Sequence, residues 1–120
     1  MDYQAPTDKQ IEEAQALLSY KFPQEYINFI KSGYDLGESA LEALEIGSPG
    51  SHVDLFRAIE DSKDYANLPG DALIICEDNG NYFYLLPDGS VSYWDHNGAT
   101  DERWLNVADW VESMKSEALE

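Results

Sequence analysis

The sequence predicts an α+β protein: a central antiparallel β-meander packed by a helical hairpin at the N-terminus, a helix in the middle of the chain and a helix at the C-terminus. Three observations lead there. Strand-like and turn-like segments alternate from Ala72 to Trp94, and helical spacing with capping residues recurs on either side of them. No repeat, low-complexity stretch or linker divides the 120 residues, so one domain spanning 1–120 is expected.

The first helix starts at a capping box. Thr7 is followed three residues later by Gln10, and Ile11, Ala14, Leu17 and Leu18 then recur at helical spacing. Pro23 fits the first turn of a second helix, where its missing N–H costs little; Phe22, Tyr26, Phe29 and Ile30 line one face and Gly33 can end it. The chain is turn-like from Gly33 to about Ser39. Leu41, Leu44 and Ile46 match neither period cleanly, and a strand over residues 40–46 is the reading taken, with a short helix as the alternative. Gly47-Ser48-Pro49-Gly50 breaks the chain. Ser51 and Asp54 then form a second capping-box pattern ahead of Val53, Phe56 and Ile59, giving a middle helix to about Lys63.

The meander follows, with strands over residues 72–77, 81–86 and 90–94. Asn79-Gly80 suits a type I′ hairpin because both turn residues need positive φ, and Pro87-Asp88-Gly89 supplies a preset turn with a permissive glycine. In the middle strand Tyr82, Tyr84 and Leu86 alternate with Phe83 and Leu85, so both faces are apolar and helices cover at least one. After Asn97-Gly98 an acidic loop is expected. Asn106 then caps a closing helix in which Val107, Trp110, Val111 and Met114 share one face, with Asp109 three residues after the cap. Phe29, Phe83 and Trp110 are assigned to the core.

Charge is the strongest global feature. The chain carries 24 acidic and 7 basic residues, a net charge of −17 at pH 7, a field that repels nucleic acid and attracts a basic protein. Direct DNA or RNA binding is disfavoured. No Lys or Arg occurs between Lys31 and Arg57 or between Lys63 and Arg103, and the second gap holds Asp64, Asp71, Glu77, Asp78, Asp88, Asp95, Asp101 and Glu102. No like-charge block is long enough for an acidic tail, so the potential belongs to the folded surface. The apolar run from Ala72 to Cys76 is too short to span a membrane, the N-terminus has no signal-peptide pattern, and a cytoplasmic location is expected. The lone Cys76 lies in that run as a small buried hydrophobe, compatible with a reducing compartment.

Catalytic and ligand motifs fail on spacing. Gly47-Ser48-Pro49-Gly50 is not a nucleophile elbow, and Gly33 and Gly37 are not followed by the Gly-Lys-Ser/Thr of a phosphate loop. One Cys and two distant His residues cannot build a structural zinc site. Residues 77–81 and 95–98 are acid-rich, yet their glycines fall two positions early for an EF-hand, with no Glu at the twelfth position. Among 24 acids some carboxylate pair meets glycosidase spacing by chance, which makes any one pair uninformative. His96 beside Asp95 reads as a hydrogen-bonded histidine near a strand end before an acid/base couple. No catalytic residue, metal or cofactor is assigned.

Four passages carry a family resemblance. Residues 11–18 followed by Lys21-Phe22-Pro23-Gln24-Glu25-Tyr26-Ile27-Asn28-Phe29-Ile30 look like an opening helix and a hydrophobic-Pro-x-x-Tyr second helix. Residues 69–76 look like the strand after a middle helix. Asn79-Gly80-Asn81-Tyr82-Phe83-Tyr84-Leu85 and Gly89-Ser90-Val91-Ser92-Tyr93-Trp94-Asp95-His96 look like a sheet hairpin, and residues 107–114 like a closing helix. As an ensemble they resemble the SUKH superfamily, which includes bacterial immunity proteins and a fungal cell-wall-synthesis regulator. Where many members have Asn-Gly-Gly after the second helix, this chain has Lys31-Ser32-Gly33-Tyr34-Asp35.

The resemblance implies an α+β fold with a curved antiparallel sheet, used to recognise proteins and without catalytic residues. It points to an immunity protein that neutralises a toxin by stoichiometric complex formation, in a family whose toxins differ in chemistry with nucleases prominent, and the net charge of −17 makes a basic toxin the expected partner. An adaptor or regulatory scaffold is the alternative, and a carbohydrate-active enzyme the third reading. Candidate partner contacts are Tyr34, Asp35, Glu38, Glu42, Glu77, Asp78, Asp95, Asp101, Glu102 and Trp104, all in or beside the two gaps without Lys or Arg.

Overall fold

The computed structural model describes residues 6–37, 39, 41–46, 51, 53–63, 68–78, 81–95 and 98–118. The first helix, α1 (Asp8–Leu18), begins at the expected capping box: Gln10 N–H donates to Thr7 Oγ1 at 3.2 Å, and Thr7 N–H to Gln10 Oε1 at 2.8 Å. Ile11 and Ala14 are buried, whereas Leu17, at the edge of that stripe, is 74% exposed. Helix α2 (Gln24–Lys31) has Pro23 as its N-cap, one position outside the first turn, and buries Tyr26, Phe29 and Ile30. Left-handed backbone at Gly33 (φ 85°) and Tyr34 (φ 57°) then turns the chain away.

A strand does form within 40–46, but it is only β1 (Glu42–Ala43). Helix α3 (Leu55–Ser62) is capped by Asp54 alone, which accepts from Phe56 N–H at 3.1 Å. Ser51 is not part of a capping box, because its hydroxyl accepts from Val53 N–H outside the helix. The breaks and turns at residues 47–50, 79–80 and 96–97, with Glu38 and His96, lie outside the described residues.

Next come β2 (Leu73–Asp78), β3 (Asn81–Leu85) and β4 (Val91–Asp95), the three strands of the expected meander, then β5 (Gly98–Trp104) and α4 (Val107–Ala118). The expectation of an acidic loop after Gly98 is therefore corrected to a strand. Asp101, Glu102 and Arg103 lower intrinsic strand preference, but an edge strand pairs on one side only and leaves charged side chains in water. The five strands pair antiparallel in the order β1-β2-β3-β4-β5.

Both faces of this sheet are covered. Tyr82, Tyr84 and Trp94 point to one side, and Phe83, Leu85 and Val91 to the other, and all six are buried. On the Phe83 side the fully buried Trp110 of α4 sits 5.4 Å from Phe83 and 5.7 Å from Phe29 of α2, ring centre to ring centre. Phe29, Phe83 and Trp110 thus lie in the core as assigned. Cys76 is also buried, its thiol pushed up to about 12 by burial and then by the charges of Asp78, Glu77 and Glu42.

Candidate protein-binding face

Strand alternation decides what surrounds Tyr93. Opposed residues of an antiparallel pair share a face, so the pairs Cys76–Phe83 and Phe83–Tyr93 define one side of the sheet. Asp78 and Asp95, each two residues further along its strand, fall on that side too. So does Trp104, opposite Val91. The Tyr93 ring lies 4.6 Å from Phe83, and Trp104 lies 5.7 Å from it on another flank. Phe83 is buried; Tyr93 and Trp104 are half-buried and present aromatic surface to solvent.

Carboxylates from three strands act on the Tyr93 phenol. Its pKa is raised, first by burial, then by the charge of Asp78, with Asp95 and Glu102 adding and a hydrogen bond from Asn81 opposing. Glu102 reaches this place through an irregularity in β5. Thr100 Oγ1 donates to the Tyr93 carbonyl at 2.8 Å and accepts from Glu102 N–H at 3.2 Å, and Asp101 and Glu102 are both exposed.

The other end of β5 is tied to the β3–β4 turn. Arg103 Nη2 donates to Asp88 Oδ2 at 2.6 Å, while Ser90 N–H and Oγ donate to Asp88 Oδ1 at 2.9 and 2.6 Å. These bonds from Ser90, with Arg103, hold the Asp88 carboxyl below its ordinary range.

The structure brings Asp78, Asp95 and Glu102 to Tyr93, leaves Asp101 exposed beside Glu102, sets Trp104 two positions along β4 from Tyr93, opposite Val91, and disperses the other candidates. Glu42 and Glu77 face each other across β1 and β2, on the opposite side of the sheet. Asp35 is exposed beyond α2, its Oδ1 accepting from Gly37 N–H at 2.8 Å. Tyr34 is a correction as a partner contact: it stands in the loop after α2, as expected, but is only 7% exposed, stacks edge-on against Phe29 and accepts from Ile46 N–H at 3.0 Å. Sequence reasoning missed Tyr93, although the period-two spacing of Val91, Tyr93 and Asp95 holds the signal that links the tyrosine to an acid.

Among the described residues no group of three His, Cys, Asp or Glu side chains could hold a metal ion, and no helix is long and apolar enough to cross a membrane. An open groove of about 1160 Å³ runs past Tyr20, Phe22, Asp71, Asp88 and Leu105. Inside it Tyr20 donates to the Leu85 carbonyl at 3.2 Å, a bond within the fold.

A family model described as SMI1-KNR4 cell-wall, SUKH_5, matches residues 1–115. The chain belongs to the SUKH family. A crystal structure of a protein from Pseudomonas syringae pv. tomato shares the fold, with a TM-score of 0.82 and 25% identity over 93% of this chain and 83% of the other. No curated protein matches. The SUKH family includes immunity proteins and is generally non-enzymatic.

Proposed function

We propose that this SUKH protein is an immunity protein that binds a basic toxin domain in a stoichiometric complex and catalyses no reaction. The observation that carries the reading is the convergence of Asp78, Asp95 and Glu102 on Tyr93, beside a half-buried Trp104. An aromatic anchor surrounded by one sign of charge, with a second ring nearby, suits a partner of the opposite sign: the field accelerates encounter, and the rings supply contact area at little entropic cost. Against a nuclease, the carboxylates would stand where substrate phosphates otherwise bind. Asp101 lies on the same exposed stretch and Glu42, Glu77 and Asp35 extend the negative field without joining the patch.

The test is colony survival when the C-terminal domain encoded by the adjacent gene is expressed with and without this protein. Killing that the chain prevents supports immunity. Killing without rescue, or no killing, sinks the reading and shifts the weight to an adaptor that binds another protein.

A further inference from the structure

The pairing of β4 with β5 contains an insertion. Ser92 and Trp94 are two positions apart, but their partners Arg103 and Ala99 are four apart, so β5 carries two residues more than the strand it pairs with. Asp101 and Glu102 are both exposed, and Glu102 N–H donates to Thr100 Oγ1 in place of a strand partner. Without that pair, Trp104, Arg103, Thr100, Ala99 and Gly98 would oppose Val91, Ser92, Tyr93, Trp94 and Asp95 one for one. The pairs on either side already keep this register.

The insertion lies where strand pairing ends. β5 is the last strand in the sheet order, and among the described residues no strand lies beyond it. A regular edge of this length is a template for another strand, and proteins blunt such edges with bulges and charged side chains. Here both devices coincide. The Thr100 hydroxyl occupies the Tyr93 carbonyl and the Glu102 N–H, groups that a plain ladder would use. The other edge, β1, has only two residues and offers little to pair with.

We propose that the Asp101–Glu102 insertion keeps the β5 edge closed to strand addition by a second copy of this chain. A two-fold antiparallel pairing of Gly98–Trp104 with itself centres on position 101, so each Asp101 would face its own copy, flanked by Glu102. Like charges directly opposed across strands are unfavourable, and the kink removes the even spacing that a ladder needs. Self-pairing of this edge needs no toxin and is read on the free chain.

Deletion of Asp101 and Glu102 together should leave β5 a continuous strand and strengthen self-association by about tenfold or more, read by sedimentation velocity across a concentration series. Slowed amide exchange at Ala99 and Arg103, which oppose Trp94 and Ser92 and direct their N–H groups away from β4, should accompany it. The unaltered chain should sediment as a monomer over the same series. A folded deletion variant that stays monomeric overturns the proposal, as does an unaltered chain already paired through β5. If circular dichroism shows the deletion variant unfolded, D101V/E102V replaces it: concentration-dependent association supports the guard, and a monomer at every concentration overturns the part of it assigned to like charge.

Discussion

Tyr20 and Cys76 hold their protons well past the pH at which free side chains lose them. The Tyr20 phenol is pushed up from 10.0 to about 12 by burial and then by Asp71 and Asp88, and the Cys76 thiol from 9.0 to about 12. Above pH 9 the unfolded chain ionises at these positions while the folded chain does not. The unfolded state then binds fewer protons, so the stability present below pH 9 is lost progressively as pH rises towards about 12. Urea midpoints should fall steadily from pH 9 to 12, and Tyr20→Phe should flatten the portion above pH 10; an unchanged slope in that variant would remove Tyr20 from the account. Single residues were the least legible scale in the sequence. Tyr34 follows Gly33 and precedes Asp35, which marks a turn, but only the left-handed φ of 57° swings its ring back onto Phe29 and its hydroxyl to Ile46. Tyr93 was hidden for the converse reason: its strand was evident, whereas the acids around it come from other strands.

At the scale of elements, helices and hairpin strands were legible because their signals are local. The Thr7–Gln10 box, the apolar stripe of α2 and the turn at Pro87-Asp88-Gly89 each rest on neighbours in the chain. The two outer strands were harder, since an edge strand is defined by a partner distant in sequence. β1 illustrates the energetic side: it sets Glu42 directly opposite Glu77. Like charges in that relation destabilise an antiparallel pair. Glu77→Lys should therefore raise the stability of the free chain by about 0.5 kcal/mol, within the range of cross-strand charge pairs, measured as an increase in the urea midpoint at constant slope. A decrease would mean that Glu77 makes a favourable contact exceeding its repulsion with Glu42.

Across the whole molecule, 24 acids and 7 bases leave most carboxylates without a cation of their own. The ion pairs Lys31–Asp8, Arg57–Asp61, Lys63–Glu60 and Arg103–Asp88 are all substantially exposed. Exposed pairs are worth about 0–1 kcal/mol each, so screening them loses little. Screening the mutual repulsion of the remaining acids gains more, because it acts on every pair of like charges the fold holds together. Sodium chloride raised from about 0.01 M to about 1 M shortens the screening length from about 30 Å to about 3 Å. The urea midpoint of the free chain should rise over that range. The same screening removes the long-range attraction of a basic partner, so the association rate should fall by about tenfold or more. The two readouts must move in opposite directions if one negative field both strains the free protein and steers its partner. A midpoint that falls with salt would show that the ion pairs outweigh the repulsion. An association rate indifferent to salt would show that the acids do not steer, leaving contact at Tyr93 and Trp104 to account for binding.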